Sequence, residues 1–197
     1  KSFLQLAAGN QNLSSIQQQQ ILTYQYSNHQ LGHFLDDLET SGIANDTVIG
    51  ITGDHTAGMG IPFAQSELIL KRAVPFVLLT PDPISEQYRA NPLTPGSHKD
   101  VIPTLFHAAG LGHKGYKGLG ASLLDNSIYH FGCNADGFVI YDGGLANMRQ
   151  DGFDSYKWAG SGYLINDEPD DENAEIAVNR YKAIVSLCDW LISSFSN

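Results

Sequence analysis

The 197 residues suit one domain, and 42% hydrophobic with 16% charged side chains is the balance of a globular protein able to bury a sizeable core. A formal charge of -10, with no basic patch, excludes a nucleic-acid binder that works by displacing phosphate counterions. No apolar run is long enough to cross a bilayer, and Lys1 does not open a signal peptide.

In chain order, Phe3–Leu6 reads as a strand already under way, so the sequence is expected to be a piece of something longer. Ser14 and Ser15 offer helix N-caps, with Gln17 and Gln18 placed for a capping box. The spacing of Leu22, Tyr26, Leu31, Phe34, Leu35 and Leu38 predicts a helix to about Thr40, ended by Gly42. A strand over Val48–Thr52 follows, then Pro75–Thr80, a continuous apolar run of the kind parallel strands show when both faces are covered. A proline-rich loop runs from Pro81 to Gly96. The next helix starts near Asp100, with Pro103 in its first turn, a buried side of Leu105, Phe106, Ala109 and Leu111, and glycines 110 and 112 at its end. Strand and helix alternate up to this point, which argues for α/β.

The character changes after Gly118. Ile128–Phe131, Gly137–Tyr141, Tyr156–Trp158 and Gly162–Ile165 are short and aromatic, and read as an antiparallel sheet. The acidic tract Asp167–Glu172 reads as a solvated loop. Ala174–Phe195 is a long helix whose buried stripe is expected at Ile176, Tyr181, Ile184, Val185, Cys188, Leu191 and Ile192. Cys133 and Cys188 lack zinc-site spacing, and fit one disulfide or two ordinary thiols.

The most informative stretch is Thr47–His55. A β-branched strand ends in Gly53-Asp54-His55, a hard oxygen ligand beside a nitrogen ligand, at the sheet edge where open α/β sheets build their sites. The plainer alternative is that Asp54 caps the next turn and His55 packs beside it. His29 and His33 lie four apart, a zinc-compatible spacing, but beside Tyr26 and Phe34 they read as packed or solvent-exposed. His107, His113 and His130 show no partner spacing. Asp100 reads as an N-cap rather than a ligand.

Leu31–Leu35 through Ser41–Ile43 and Asn45–Thr47 to Thr52–His55, then Val74–Phe76 and Ser97–Leu105, form an order that resembles the sulfatase branch of the alkaline phosphatase superfamily. Within it, the closest likeness is to the lipoteichoic acid synthase and phosphoglycerol transferase group, whose entry into a C-terminal antiparallel sheet Gly118–Leu124 resembles. The resemblance implies an α/β fold, a mostly parallel sheet flanked by helices, with a small C-terminal antiparallel sheet and a long C-terminal helix. Residues 1–197 would form the C-terminal part of one catalytic domain, 1–118 its α/β portion and 119–197 the sheet plus helix.

The resemblance further implies a divalent ion (manganese, zinc, magnesium or calcium) with Asp54 and His55 as two ligands, and a Thr, Ser or modified Cys nucleophile upstream of Lys1. His98 would contact the substrate anion or support the site, or else be a surface residue at a helix start. Gln11 stands where a histidine touching the substrate head group is expected, and an amide can hydrogen-bond an ester oxygen but cannot deliver a proton as a cation. The substrate would be a phosphate or sulfate ester, such as a phospholipid head group, and the location the periplasm or cell envelope, in a membrane-anchored parent. A degenerate, non-catalytic scaffold is the competing expectation. A phosphomutase would require further histidines after the Asp-His turn, and residues 56 to 70 hold none.

Overall fold

The computed structural model describes residues 14–56, 64–82, 84, 88, 91–112, 116–160 and 164–195. The expected strand Phe3–Leu6 and Gln11 lie outside them. Helix α1 spans Ser15–Thr40. Its first turn is closed reciprocally: the Ser14 hydroxyl accepts the Gln17 amide at 3.3 Å, and the Gln17 side chain accepts the Ser14 amide at 2.8 Å. The covered stripe is narrower than the sequence period suggests. Leu22, Leu31, Leu35 and Leu38 are half-buried, whereas Tyr26 and Phe34 face solvent. Phe34 and Leu35 are adjacent, about 100° apart on the helix, so only one of them turns inward.

A 3-10 turn over Ile43–Asp46 leads to strand β1 (Ile49–Thr52), which pairs with β2 (Phe76–Leu79). The pair is antiparallel, with Ile49 opposite Leu79 and Thr52 opposite Phe76, so these strands do not form the expected parallel sheet. An unbroken apolar run marks a strand with apolar neighbours, and either direction satisfies it. Burial alternates along both strands, more covered at Ile49, Ile51, Phe76 and Leu78, as a pair packed on one face requires. A 3-10 turn (Gln65–Glu67) and a five-residue helix α2 (Leu68–Arg72), neither anticipated, precede β2.

A 3-10 turn over His98–Asp100 runs into helix α3 (Val101–Ala108), which buries Pro103, Thr104 and Ala108. Leu105 packs on β1, where a Cβ at Gly50 would lie 3.0 Å from its Cδ2. Phe106, Ala109 and Leu111, expected on the buried side, face outward.

Strands β3 (Phe131–Cys133), β4 (Phe138–Tyr141), β5 (Gly144–Arg149), β6 (Gly152–Ala159) and β7 (Leu164–Ile165) form an antiparallel meander in sequence order. The sequence reading missed β5, whose Gly, Ala, Asn and Arg carry little β signal. Helix α4 (Asp171–Phe195) covers one face of this sheet. Ala174, Ala177 and Val178 meet Val139, Tyr141 and Ala146 in the core, the small alanines letting the helix backbone approach. The covered stripe continues through Tyr181, Ile184, Cys188 and Leu191, while Ile176, Val185 and Ile192 are exposed. The acidic tract is not all loop. Asp171 and Glu172 occupy the first turn of α4, where the helix dipole favours negative charge, and Asp171 accepts the Ser155 hydroxyl at 2.6 Å. Among the described residues no helix is long and apolar enough to cross a membrane.

Burial raises the Tyr141 phenol well above its ordinary value of about 10, with the Asp170 carboxylate adding to the effect. Burial also raises Tyr129, partly offset by Arg180. Both groups hold their protons more tightly when folded. Stability is therefore intact below pH about 10 and falls as pH rises through the folded-state values. Alkaline titration should show unfolding together with tyrosinate absorbance, and Tyr141→Phe should move that transition to higher pH.

Candidate functional site

Beyond Thr52 the chain turns at Gly53 and projects Asp54 and His55 into solvent, 90% and 81% exposed respectively. Asp54 Oδ1 accepts the backbone N–H of His55 at 2.9 Å, which folds the carboxylate over its own turn. Asp54 Oδ2 then stands 3.7 Å from His55 Nε2. The other ring nitrogen, Nδ1, is 2.9 Å from the Thr56 carbonyl oxygen. A carbonyl only accepts, so Nδ1 carries a proton, and Nε2 is the ring nitrogen turned to the carboxylate. Metal-binding imidazoles are oriented by such a backbone contact. Two donors bonded at about 2.0–2.2 Å to one tetrahedral ion stand about 3.3–3.6 Å apart, so the pair is close to chelating geometry. Among the described residues no group of three or more His, Cys, Asp or Glu side chains converges. Asp54 and His55 fit a divalent cation as two of its ligands and do not close a site by themselves.

His98 is drawn to the same turn. Its Nε2 donates to the Gly53 carbonyl at 2.6 Å across 45 positions of sequence, fixing the residue that precedes Asp54. The contact is to backbone, which neither sequence expectation for His98 specified.

The next two residues anchor that turn to the second half of the molecule. Asp100 has a 2% exposed side chain and Lys99 is 14% exposed. The Lys99 ammonium donates to both Asp100 oxygens, at 2.8 and 2.7 Å, and to the Phe131 carbonyl at 2.8 Å. The carboxylate also accepts the Ser97 and Ala121 amides, each at 2.9 Å. Asp100 thus occupies the N-cap position of α3, as expected, but its side chain serves Ser97, Ala121 and Lys99 instead of the helix amides. Thr104 donates its hydroxyl to the Asp100 carbonyl at 2.6 Å and accepts the Leu123 amide at 3.0 Å. Two glycines permit this closeness: a Cβ at Gly120 would lie 1.7 Å from the Lys99 carbonyl oxygen, and one at Gly132 2.1 Å from that of Gly96. Sequence reasoning gave Lys99 no role, and its only signal was a cation beside an acid at a helix start.

The remaining candidates have other tasks. His29 and His33 meet edge to face at 4.4 Å on the exposed side of α1. His107 Nδ1 lies 2.8 Å from the Ser122 hydroxyl, and His130 Nε2 lies 2.9 Å from the Asp125 carbonyl, partners that spacing does not reveal. His113 and Gln11 lie outside the described residues. Cys133 and Cys188 are half-buried free thiols, and burial pushes Cys133 up, away from a reactive thiolate.

Replacing Lys99 by Met leaves the Asp100 carboxylate buried without its cation, which should cost about 3–5 kcal/mol. A lowered urea midpoint at unchanged slope is the expected reading, and Lys99→Met with Asp100→Asn together should recover part of the loss.

A family model described as Sulfatase matches residues 7–111, just over half of the chain. No curated protein and no solved structure matches it. The matched stretch contains α1, β1, β2 and α3, with Asp54, His55, His98 and Asp100, and ends before the five-stranded sheet.

Proposed function

The chain belongs to the sulfatase family, and on that premise we propose that it forms the C-terminal part of a metal-dependent catalytic domain acting on phosphate or sulfate esters. Family membership carries the coarser statement, a sulfatase-like hydrolase or transferase fold. The assignment of Asp54 and His55 as metal ligands is supported by one observation above others. His55 presents Nε2 3.7 Å from the Asp54 carboxylate, with Nδ1 held by a backbone carbonyl.

A bound divalent ion would withdraw charge from the transferring group and lower the pKa of an attacking hydroxyl. The residues of this chain have narrower tasks. Asp54 supplies a hard anionic oxygen, His55 a neutral nitrogen, and His98 keeps the turn that carries both against the start of α3. The nucleophile and the remaining ligands lie upstream in this reading. The resemblance to phosphoglycerol transferases favours a phospholipid head group as the donor ester, handled outside the cytoplasm.

A second reading, a scaffold that keeps the fold without turnover, rests on Gln11 standing where a histidine touching the substrate head group is expected. One series separates the two. Calorimetric titration of this chain with zinc or manganese alone should show weak binding that Asp54→Ala or His55→Ala removes. In the intact parent, Asp54→Ala should lower ester turnover by about two orders of magnitude or more. An intact wild-type parent that turns over no ester would establish the scaffold instead, and turnover unchanged by Asp54→Ala would remove Asp54 from the ligand set.

A further inference from the structure

Helix α1 is long and lightly held. None of its 26 residues is buried, and among the described elements it packs chiefly on the 3-10 turn over Ile43–Asp46 that follows it. Helices in proteins owe most of their stability to a packed face. With so little of one, α1 is open to a ligand that braces it from outside.

His29 and His33 offer the handle. At a spacing of four they stand one above the other on a single face of α1. Both are exposed, and their ring centres lie 4.4 Å apart with the planes at 76°. Spacing alone leaves open whether they pack or face water; the fold puts them in water and in contact with each other. Edge-to-face contact is not itself chelation. Rotation of one exposed ring about its side-chain bonds aims a nitrogen of each at a common point. Two nitrogens held at about 2.0–2.1 Å by one tetrahedral ion stand about 3.3–3.4 Å apart, which rings this close can supply. An imidazole that donates from one nitrogen still presents the other. The donor set is also selective: paired imidazoles suit zinc, copper and nickel, whereas magnesium and calcium take oxygen ligands and manganese binds weakest in the divalent series.

We propose that His29 and His33 bind a zinc, copper or nickel ion as a two-nitrogen clip that holds the middle of α1 in helical form. Among the described residues no third His, Cys, Asp or Glu converges on the pair, and water fills the remaining positions. The two nitrogens meet only while residues 29–33 are helical, so binding and helix formation are coupled. The clip is carried on a different element from the Asp54–His55 turn and is independent of it. Zinc therefore binds in two components, one that Asp54→Ala removes and one that survives it.

Nickel chloride, titrated calorimetrically into the full chain stripped of metal, tests the clip. The wild-type chain and its Asp54→Ala/His55→Ala double variant should both bind nickel, and excess magnesium should not compete. His29→Ala and His33→Ala should each weaken that binding at least about tenfold, the loss that even an outer-sphere partner of a metal causes. Combining His33→Phe with Phe34→His keeps the number of histidines and swings one of them about 100° round the helix, so it should weaken binding as much. At free nickel ten times its Kd, amide exchange over residues 25–36 should slow about tenfold in the wild-type chain and stay unchanged in the swapped variant. The altered side chains are all exposed, and far-UV circular dichroism checks that each variant folds. Nickel that binds the wild-type chain but not the Asp54→Ala/His55→Ala variant belongs to the turn and overturns the clip. So does an affinity indifferent to the swap, exchange in α1 that nickel leaves unaltered, or no nickel binding at all.

Discussion

The buried Asp100 carboxylate is the constraint on which the remaining structure depends. A charge this far from water is tolerated only when paired and hydrogen-bonded. Its partners come from separate places: Ser97 just before it, Lys99 beside it, and Ala121 in the loop beyond α3. Lys99 extends the same network to the Phe131 carbonyl at the start of the meander. Satisfying one side chain therefore obliges α3, the following loop and the five-stranded sheet to meet in one arrangement. The return is geometric more than energetic, since an apolar replacement of a whole buried pair is often no less stable.

The candidate site inherits its position from that network. His98 reaches Gly53, and the two residues after it hold the second half of the molecule, so a single turn ties the Asp54–His55 pair to the meander. The pair itself is open to water and held by its own backbone, through the His55 amide and the Thr56 carbonyl. A solvated carboxylate and imidazole so oriented have lost little of their hydration, and an added cation would find both donors already aligned.

Much of this was legible in the sequence where a local rule decides the outcome. The capping box at Ser14 and Gln17, the Pro103 helix start, the Gly53 turn and the long final helix all follow from short-range chemistry. Strand direction was not legible, because Phe76–Leu79 carries the same apolar residues whichever way its neighbour runs. Strand β5 was hidden by a composition poor in β-branched and aromatic residues, its place fixed by neighbours on both sides. Helix faces were read too broadly wherever two apolar residues adjoin, as at Phe34 and Leu35. The candidate ligands Asp54 and His55 can be named from their order along the chain. The role of Lys99 cannot, since it lies in a carboxylate beside it and a carbonyl supplied from a distant segment.

The meander has a kinetic implication. Its five strands are joined by short connections in sequence order, and α4 closes over them directly afterwards. Contacts so near in the chain cost little loop entropy and form early. The Gly53–His98 contact instead spans 45 positions and links parts with few fully buried side chains. Breathing motions of the molecule will accordingly open the Asp54 turn at a free energy well below that of global unfolding. Amide protons of β4 and β5 should exchange last.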